Sequence, residues 1–213
     1  MDAVCFDMDG VLVDSEDYWV PYEREGLLPM VGLPDLDIDE LTGRNYRDIY
    51  DYLVEEYDVE TEREAVLDWF DETAERIYGE DAALLPGAQE LVDDLRDRGV
   101  AVAVVSSSPH HWIDIVVERF DLDVDAVVSA EDVDGPGKPH PAVFEYAAAE
   151  LGADPGETVA IEDSLHGIES ANRAGMYVVG FKHGDDQNDR SDADYVASSP
   201  DDLRDHLLAR VGE

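Results

Sequence analysis

Short, continuous apolar runs alternate with helical patterns along this chain. Ala3 to Phe6, Val100 to Val105, Ala126 to Val128, Thr158 to Ile161 and Tyr177 to Gly180 are the candidate strands. A strand with one wet face alternates apolar and polar residues, whereas a strand buried on both faces reads as an unbroken run. Parallel sheets covered by helices bury both faces, so the pattern predicts an α/β fold with helices on both sides of the sheet. The intervening segments agree. Gly87 to Arg98 carries Leu91, Val92 and Leu95 at helical spacing and stops at Gly99. Pro141 to Leu151 opens on proline and closes at Gly152.

The interval from Ser15 to Leu85 is different. Its periodicity is helical (Ile49, Tyr52, Leu53; Val66, Leu67, Phe70), it contains no convincing strand, and it is too long for a simple crossover. It reads as an all-α insert over residues 15–85, with residues 1–14 and 86–213 forming the core, because the cost of closing a loop grows slowly with its length. Residues 184–192 are polar and read as an exposed loop; no internal repeat is present.

The chain has 213 residues and is 44% apolar, enough for one core domain carrying a small accessory one. Its 54 acidic residues against 14 basic ones give a formal charge of −40. Polyanionic partners are therefore disfavoured: no nucleic acid and no anionic membrane surface. The apolar runs exclude a disordered acidic chain, so the charge belongs on the outside of a folded body. Self-repulsion on that scale destabilises a compact state in dilute buffer, while at ~1 M salt the screening length falls to roughly 3 Å. The composition thus points to a salt-rich cytoplasm, as in a halophilic microbe. Lys138 and Lys182 are the only lysines, against the Lys/Glu enrichment of hyperthermophiles. Cys5 is the single cysteine and lies in an apolar run, which reads as a small buried thiol and excludes a disulfide scaffold. Residues 1–30 lack a basic start followed by an apolar stretch, and no segment approaches the ~20 apolar residues that span a bilayer, so a cytoplasmic location is expected.

In α/β sheets ligands gather beyond the carboxyl ends of the strands, and the residues there carry the chemistry. The first run ends in Asp7-Met8-Asp9-Gly10-Val11-Leu12-Val13-Asp14-Ser15. Two carboxylates two residues apart at a strand end repel unless a cation or a shared proton relieves them. An Asp-rich turn is the plain alternative. After the second run comes Ser106-Ser107-Ser108, whose hydroxyls can donate to a phosphate or cap the next helix. Lys138, in Gly137-Lys138-Pro139, is a compact cation suited to a phosphoryl group flanked by carboxylates. The run Thr158 to Ile161 ends in Glu162-Asp163-Ser164, adding carboxylates that, with waters and a phosphate, suit Mg²⁺.

In this order the four motifs resemble those of haloacid dehalogenase superfamily phosphohydrolases, in the branch that includes β-phosphoglucomutase and phosphoglycolate phosphatase. The resemblance covers nearly the whole chain and implies a Rossmann-like core with a helical cap inserted where the helical interval lies. It implies that Asp7 is the nucleophile that becomes an aspartyl phosphate, and that Asp9 protonates the leaving group and then activates water. Ser106 and Lys138 would hold the transferring phosphoryl oxygens, with Ser107 beside them. Mg²⁺ would be bound by Asp7, the backbone carbonyl of Asp9 and Asp163, with Glu162 as a second ligand or an orienter of metal-bound water.

The resemblance also orders the alternatives. Dehalogenases and phosphonatases of the superfamily lack an aspartate at the second position, so Asp9 counts against both. In β-phosphoglucomutases a histidine stands four residues beyond the hydroxyl of the Asp-hydroxyl pair, and here Trp19 stands there; residues 1–109 contain no histidine at all. A small phosphorylated metabolite hydrolysed by a phosphatase is the leading reading, with a sugar-phosphate mutase second and a receiver-like phosphate acceptor third. Substrate choice is expected in the insert. Arg44 and Arg47 can fork onto a carboxylate or second phosphate, or pair with Asp48 or Asp51; Tyr18, Trp19 and Tyr22 can line the substrate crevice or pack the insert. The salt reading is checked by circular dichroism and turnover across a KCl series: dialysis into salt-free buffer should cost the protein its fold or its activity, and full retention of both overturns it.

Overall fold

Strand β1 (Ala3–Phe6) lies at the middle of a six-stranded sheet with β2 (Ala101–Ser106), β3 (Ala126–Ser129), β4 (Thr158–Glu162), β5 (Tyr177–Phe181) and β6 (Tyr195–Ala197). The computed structural model describes residues 1–41, 45–182 and 190–211, and every structural statement below is made of these. The strand order is β3-β2-β1-β4-β5-β6 and each neighbouring pair is parallel. The helices are α1 (Glu16–Tyr22), α2 (Leu28–Met30), α3 (Tyr46–Tyr57), α4 (Arg63–Arg76), α5 (Ala88–Arg96), α6 (His110–Arg119), α7 (Ala142–Glu150), α8 (Leu165–Ala174) and α9 (Pro200–Arg210). The expected α/β class is the one found, and five of the six strands grow from the apolar runs. The sixth, Tyr195-Val196-Ala197, is too short and too exposed at the sheet edge to leave a run in the sequence.

Side chains alternate across the sheet, so each central strand feeds two cores. Cys5, Ala103, Val105, Val128, Ala160 and Val178 pack with Val143, Phe144, Ala147 and Ala148 of α7 and Ile168 and Ala171 of α8. The intervening Val4, Phe6, Val102, Val104, Val159, Ile161 and Val179 are just as buried and point the other way. Both faces are thus dry, which explains the unbroken runs. Burial pushes the Cys5 thiol up to about 12, so it stays protonated and serves as a small apolar filler.

The order of the strands positions the site. From β1 the chain builds outward through β2 and β3, then crosses by α7 to start β4 on the other side of β1. The connections from β1 and β4 therefore leave in opposite directions, and the crevice at such a switch point receives ligands. Asp7 and Asp163 follow directly on these two strands.

The chain divides into two units, Met1–Asp14 with Ala83–Glu213, and Ser15–Ala82. Within the first, departing and returning segments run side by side: Leu85 N donates to Leu12 O at 2.8 Å, Asp14 N to Ala83 O at 3.1 Å, and Ala83 N to the Asp14 carboxylate at 2.7 Å. Arg190 departs from the exposed loop read over 184–192; residues 184–189 lie outside the described residues. Arg190 is buried, and its Nε donates to the Phe181 carbonyl at 2.8 Å, because a buried strand-end carbonyl requires a donor.

The second unit is helical, as its periodicity predicts. Leu27, Leu28, Ile49, Leu53, Val66, Phe70, Ile77 and Tyr78 form its interior. Both α1 and α4 run on into wider π turns, Glu23–Leu27 and Ile77–Asp81. Glu23 is the exception to the apolar interior: it is 8% exposed and has no polar partner among the described residues. Burial pushes its carboxyl up to about 7. The folded state therefore favours the neutral acid. Its contribution to stability is complete below the ordinary glutamate pKa and is lost as pH rises through 7, a loss on the order of 3 kcal/mol. Urea unfolding at several pH values checks this: Glu23→Gln should match the native protein near pH 4 and exceed its stability at pH 8.

Candidate active site

Asp7 continues the β1 ladder by one bond, its N–H donating to Ile161 O at 3.0 Å, so its position beside β4 is fixed by the sheet. The chain then turns sharply. Met8 is fully buried, and its carbonyl accepts from the N–H groups of Leu12 and Val13 at 2.9 and 3.1 Å. Gly10 has φ +73°, and its N–H donates to Val13 O at 2.9 Å. A Cβ at Gly10 would lie 2.5 Å from Oδ2 of Asp163. Glycine is required here twice over, by the left-handed backbone and by the approach of a carboxylate from the end of β4.

Lys138 ties these pieces together. Its Nζ donates to Oδ1 of Asp7 at 2.6 Å, to Oε1 of Glu162 at 2.7 Å and to the Val105 carbonyl at 3.1 Å. The ammonium thus touches the ends of three strands and lies 5.0 Å from the ring of Phe144. The Lys138 side chain is 7% exposed and that of Glu162 0%. Burial works against the lysine's charge, but Asp7 and Glu162 override it and raise its pKa above the ordinary lysine value. Burial also pushes the Asp7 carboxyl well above its ordinary range; Lys138 pulls it down, while Glu162 and Asp9 push it further up.

Asp7, Glu162 and Asp163 present carboxylate oxygens within 4.8 Å of one another, all three residues buried. Three clustered carboxylates are accompanied by one ammonium, which pairs with Asp7 and Glu162, and a divalent cation held by oxygen ligands would balance the excess. The donor set is all oxygen, which suits a hard cation. The oxygens are not equally available. Glu162 gives Oε1 to Lys138, and its Oε2 accepts from Ser164 Oγ at 3.0 Å and Ser164 N at 3.4 Å.

The remaining sequence candidates sort by position. Asp9 is partly exposed, and its carboxylate accepts from Ser108 Oγ at 3.5 Å. Ser106, at the end of β2, is buried, and its Oγ accepts the N–H of Ser108 at 3.1 Å, which leaves the hydroxyl proton to donate elsewhere. Ser129 Oγ donates to the Ser108 carbonyl at 2.7 Å and braces the same turn. Ser107 is exposed on that turn. In the helical unit Trp19 Nε1 donates to the Tyr78 hydroxyl at 3.2 Å, and its ring lies 6.1 Å from those of Phe70 and Tyr78. The Arg47 guanidinium lies 5.2 Å from the centre of the Tyr46 ring. Arg44 lies outside the described residues. The sequence places Ser108 and Ser164 in the strand-end motifs without giving either a role of its own, and it does not single out Gly167. Ser164 carried a signal, since a serine directly after a strand and before a helical pattern is a favoured helix cap, whereas Ser108 could not be singled out from its neighbouring serines.

With this geometry in view, comparison with known proteins is direct. A sequence profile described as haloacid dehalogenase-like hydrolase matches residues 4–181. The chain is 34% identical over 200 residues to hexitol phosphatase B of Escherichia coli strain K12, covering 88% of this chain and 86% of that protein. It is 28% identical over 226 residues to β-phosphoglucomutase of Bacillus subtilis strain 168, covering 98% and 94%. Among solved structures, a hydrolase of the same family from Deinococcus radiodurans R1, with bound phosphate and sodium, superposes with a TM-score of 0.73 at 29% identity over 98% of this chain and 96% of that one. A sheet order that sets Asp7 beside Asp163, a lysine bridging Asp7 to Glu162, and a profile that spans every one of these residues agree: the chain belongs to the haloacid dehalogenase-like hydrolases.

Proposed function

We propose that this protein is a Mg²⁺-dependent phosphatase that hydrolyses a small phosphate monoester through an aspartyl phosphate on Asp7. The observation that carries the reading is the Lys138 ammonium held 2.6 Å from Asp7 at the switch point of the sheet, with Asp163 beside it. An enzyme that moves a dianionic phosphoryl group onto a carboxylate must offset negative charge on both partners. The buried lysine does so at the attacking oxygen.

In the first half-reaction a carboxylate oxygen of Asp7 attacks phosphorus as the bond to the ester oxygen breaks, and Asp9 gives its proton to the departing alkoxide. In the second, Asp9 takes a proton from water, whose oxygen attacks phosphorus and releases Asp7 with inorganic phosphate. Ser106 and Lys138 hold phosphoryl oxygens through both steps. Asp7, Asp163 and the carbonyl of Asp9 would hold Mg²⁺, which when bound supplies the positive charge that stabilises the equatorial oxygens.

The substrate proposed is a phosphorylated sugar or polyol, the class in the names of hexitol phosphatase B and of the phosphorylated carbohydrates phosphatase of Thermotoga maritima, which is 27% identical over 190 residues. The second reading, a sugar-phosphate mutase, is favoured by the near-complete coverage of the B. subtilis mutase and opposed by Trp19 where the mutases carry a histidine. Assaying inorganic phosphate against isomer formation over hexose and hexitol phosphates, in high salt with Mg²⁺, separates the two. We place the protein in the cytoplasm of a salt-adapted cell; no described helix is long and apolar enough to cross a membrane.

Two outcomes test the mechanism. Asp7→Asn should lower kcat by about 10³-fold or more with an unchanged circular dichroism spectrum, and substantial residual turnover removes Asp7 from the nucleophile's role. EDTA should silence phosphate release, and added Mg²⁺ should restore it; a rate untouched by chelation refutes the metal assignment.

A further inference from the structure

The carboxyl end of β4 contains a contact that the reaction scheme does not use. Glu162 is fully buried, and α8 starts three residues later with Ser164 as its cap, the serine Oγ accepting the N–H of Gly167 at 3.1 Å. The same Ser164 hydroxyl donates to Oε2 of Glu162 at 3.0 Å. The carboxylate rests on Gly167 itself: a Cβ there would lie 1.9 Å from Cδ and Oε1 and 2.0 Å from Oε2. Contacts under 3.0 Å are not sustained by real Cβ atoms, and here all three atoms belong to the carboxyl group that receives Lys138 at 2.7 Å. Gly167 lies inside a helix, where glycine is ordinarily a poor choice, and its backbone takes no left-handed conformation. The helix therefore gives up local stability to leave room for the carboxylate.

We propose that Gly167 and Ser164 are positioning residues that set the Lys138 ammonium against Asp7 by seating Glu162 in the first turn of α8. The same helix steadies the other end of the lysine segment. Ser170 Oγ donates to the His140 carbonyl at 2.7 Å and Arg173 donates to the Pro139 carbonyl at 3.0 Å, so α8 holds both the chain that bears Lys138 and the carboxylate that receives it. Glu162 accordingly acts as the anchor of the lysine. The inference rests on the phosphatase reading for its kinetic consequence, but its structural half stands apart from it.

The test exploits the scarcity of lysine. With Lys182 as the single other lysine, the Lys138 side-chain signal in protein labelled with ¹³C,¹⁵N-lysine is assigned by one Lys182→Arg control. Gly167→Ala should move that signal toward the position of an exposed lysine and lower kcat at least 30-fold, with a smaller effect on KM. Ser164→Ala should move both in the same direction by less. In a Glu162→Ala background the seat is empty, so adding Gly167→Ala should change neither the Lys138 signal nor the rate and should raise the urea midpoint. A Gly167→Ala protein with native signal and native kcat overturns the proposal, as does a Gly167→Ala loss that persists undiminished in the Glu162→Ala background. If Gly167→Ala alone does not fold, the double variant decides: it must fold as well as Glu162→Ala does, and failure to do so refutes the seating argument. A Lys138 signal that moves as expected in a protein without phosphatase activity would retain the anchor and dismiss the reaction.

Discussion

Everything at the switch point follows from the cost of burying charge. Asp7 and Glu162 converge on one ammonium with Asp163 close to both, in a region walled by the sheet, and each carboxylate would repel the others strongly if left alone. Lys138 relieves part of that repulsion with short bonds to Asp7 and Glu162, and its third bond, to the Val105 carbonyl, ties the ammonium to the end of β2. The remainder is what would let the cluster hold a cation. Counted as ionised, three carboxylates and one ammonium leave two negative charges in excess, the charge that one divalent cation would balance.

The sheet makes such crowding affordable in geometric terms. Parallel strands in register deliver their terminal residues to one edge, and the return of the chain to the far side of β1 places the ends of β1 and β4 next to each other. Cys5, Ala103 and Ala160 are small, so α7 packs close over the sheet with Phe144 beneath the lysine. A rigid floor matters because the Lys138 bonds are fixed by strand positions that cannot drift without disturbing a dry core.

Much of this was legible in the sequence, for physical reasons that differ from place to place. The buried strands showed as runs because both faces are dry, and the acidic strand ends stood out because a polar cluster directly after an apolar run has few structural uses. Lys138 was conspicuous through rarity. The edge strand at Tyr195 to Ala197 and the inward turn of Arg190 were not legible, since each depends on what neighbouring segments leave unpaired. Gly167 was hidden for a subtler reason: its meaning lies in the volume occupied by Glu162, five residues away in sequence but against it in space. Trp19 was legible as an aromatic and ambiguous in role, and its bond to Tyr78 shows that it is engaged within the helical unit.

The paired segments at residues 12–14 and 83–85 have an evolutionary corollary. Because the core closes on itself there through its own backbone bonds, the two stumps of the insert stand as neighbours whatever is spliced between them. A segment of another length or sequence could therefore be carried between them while the strand ends bearing Asp7 and Asp163 stay where they are.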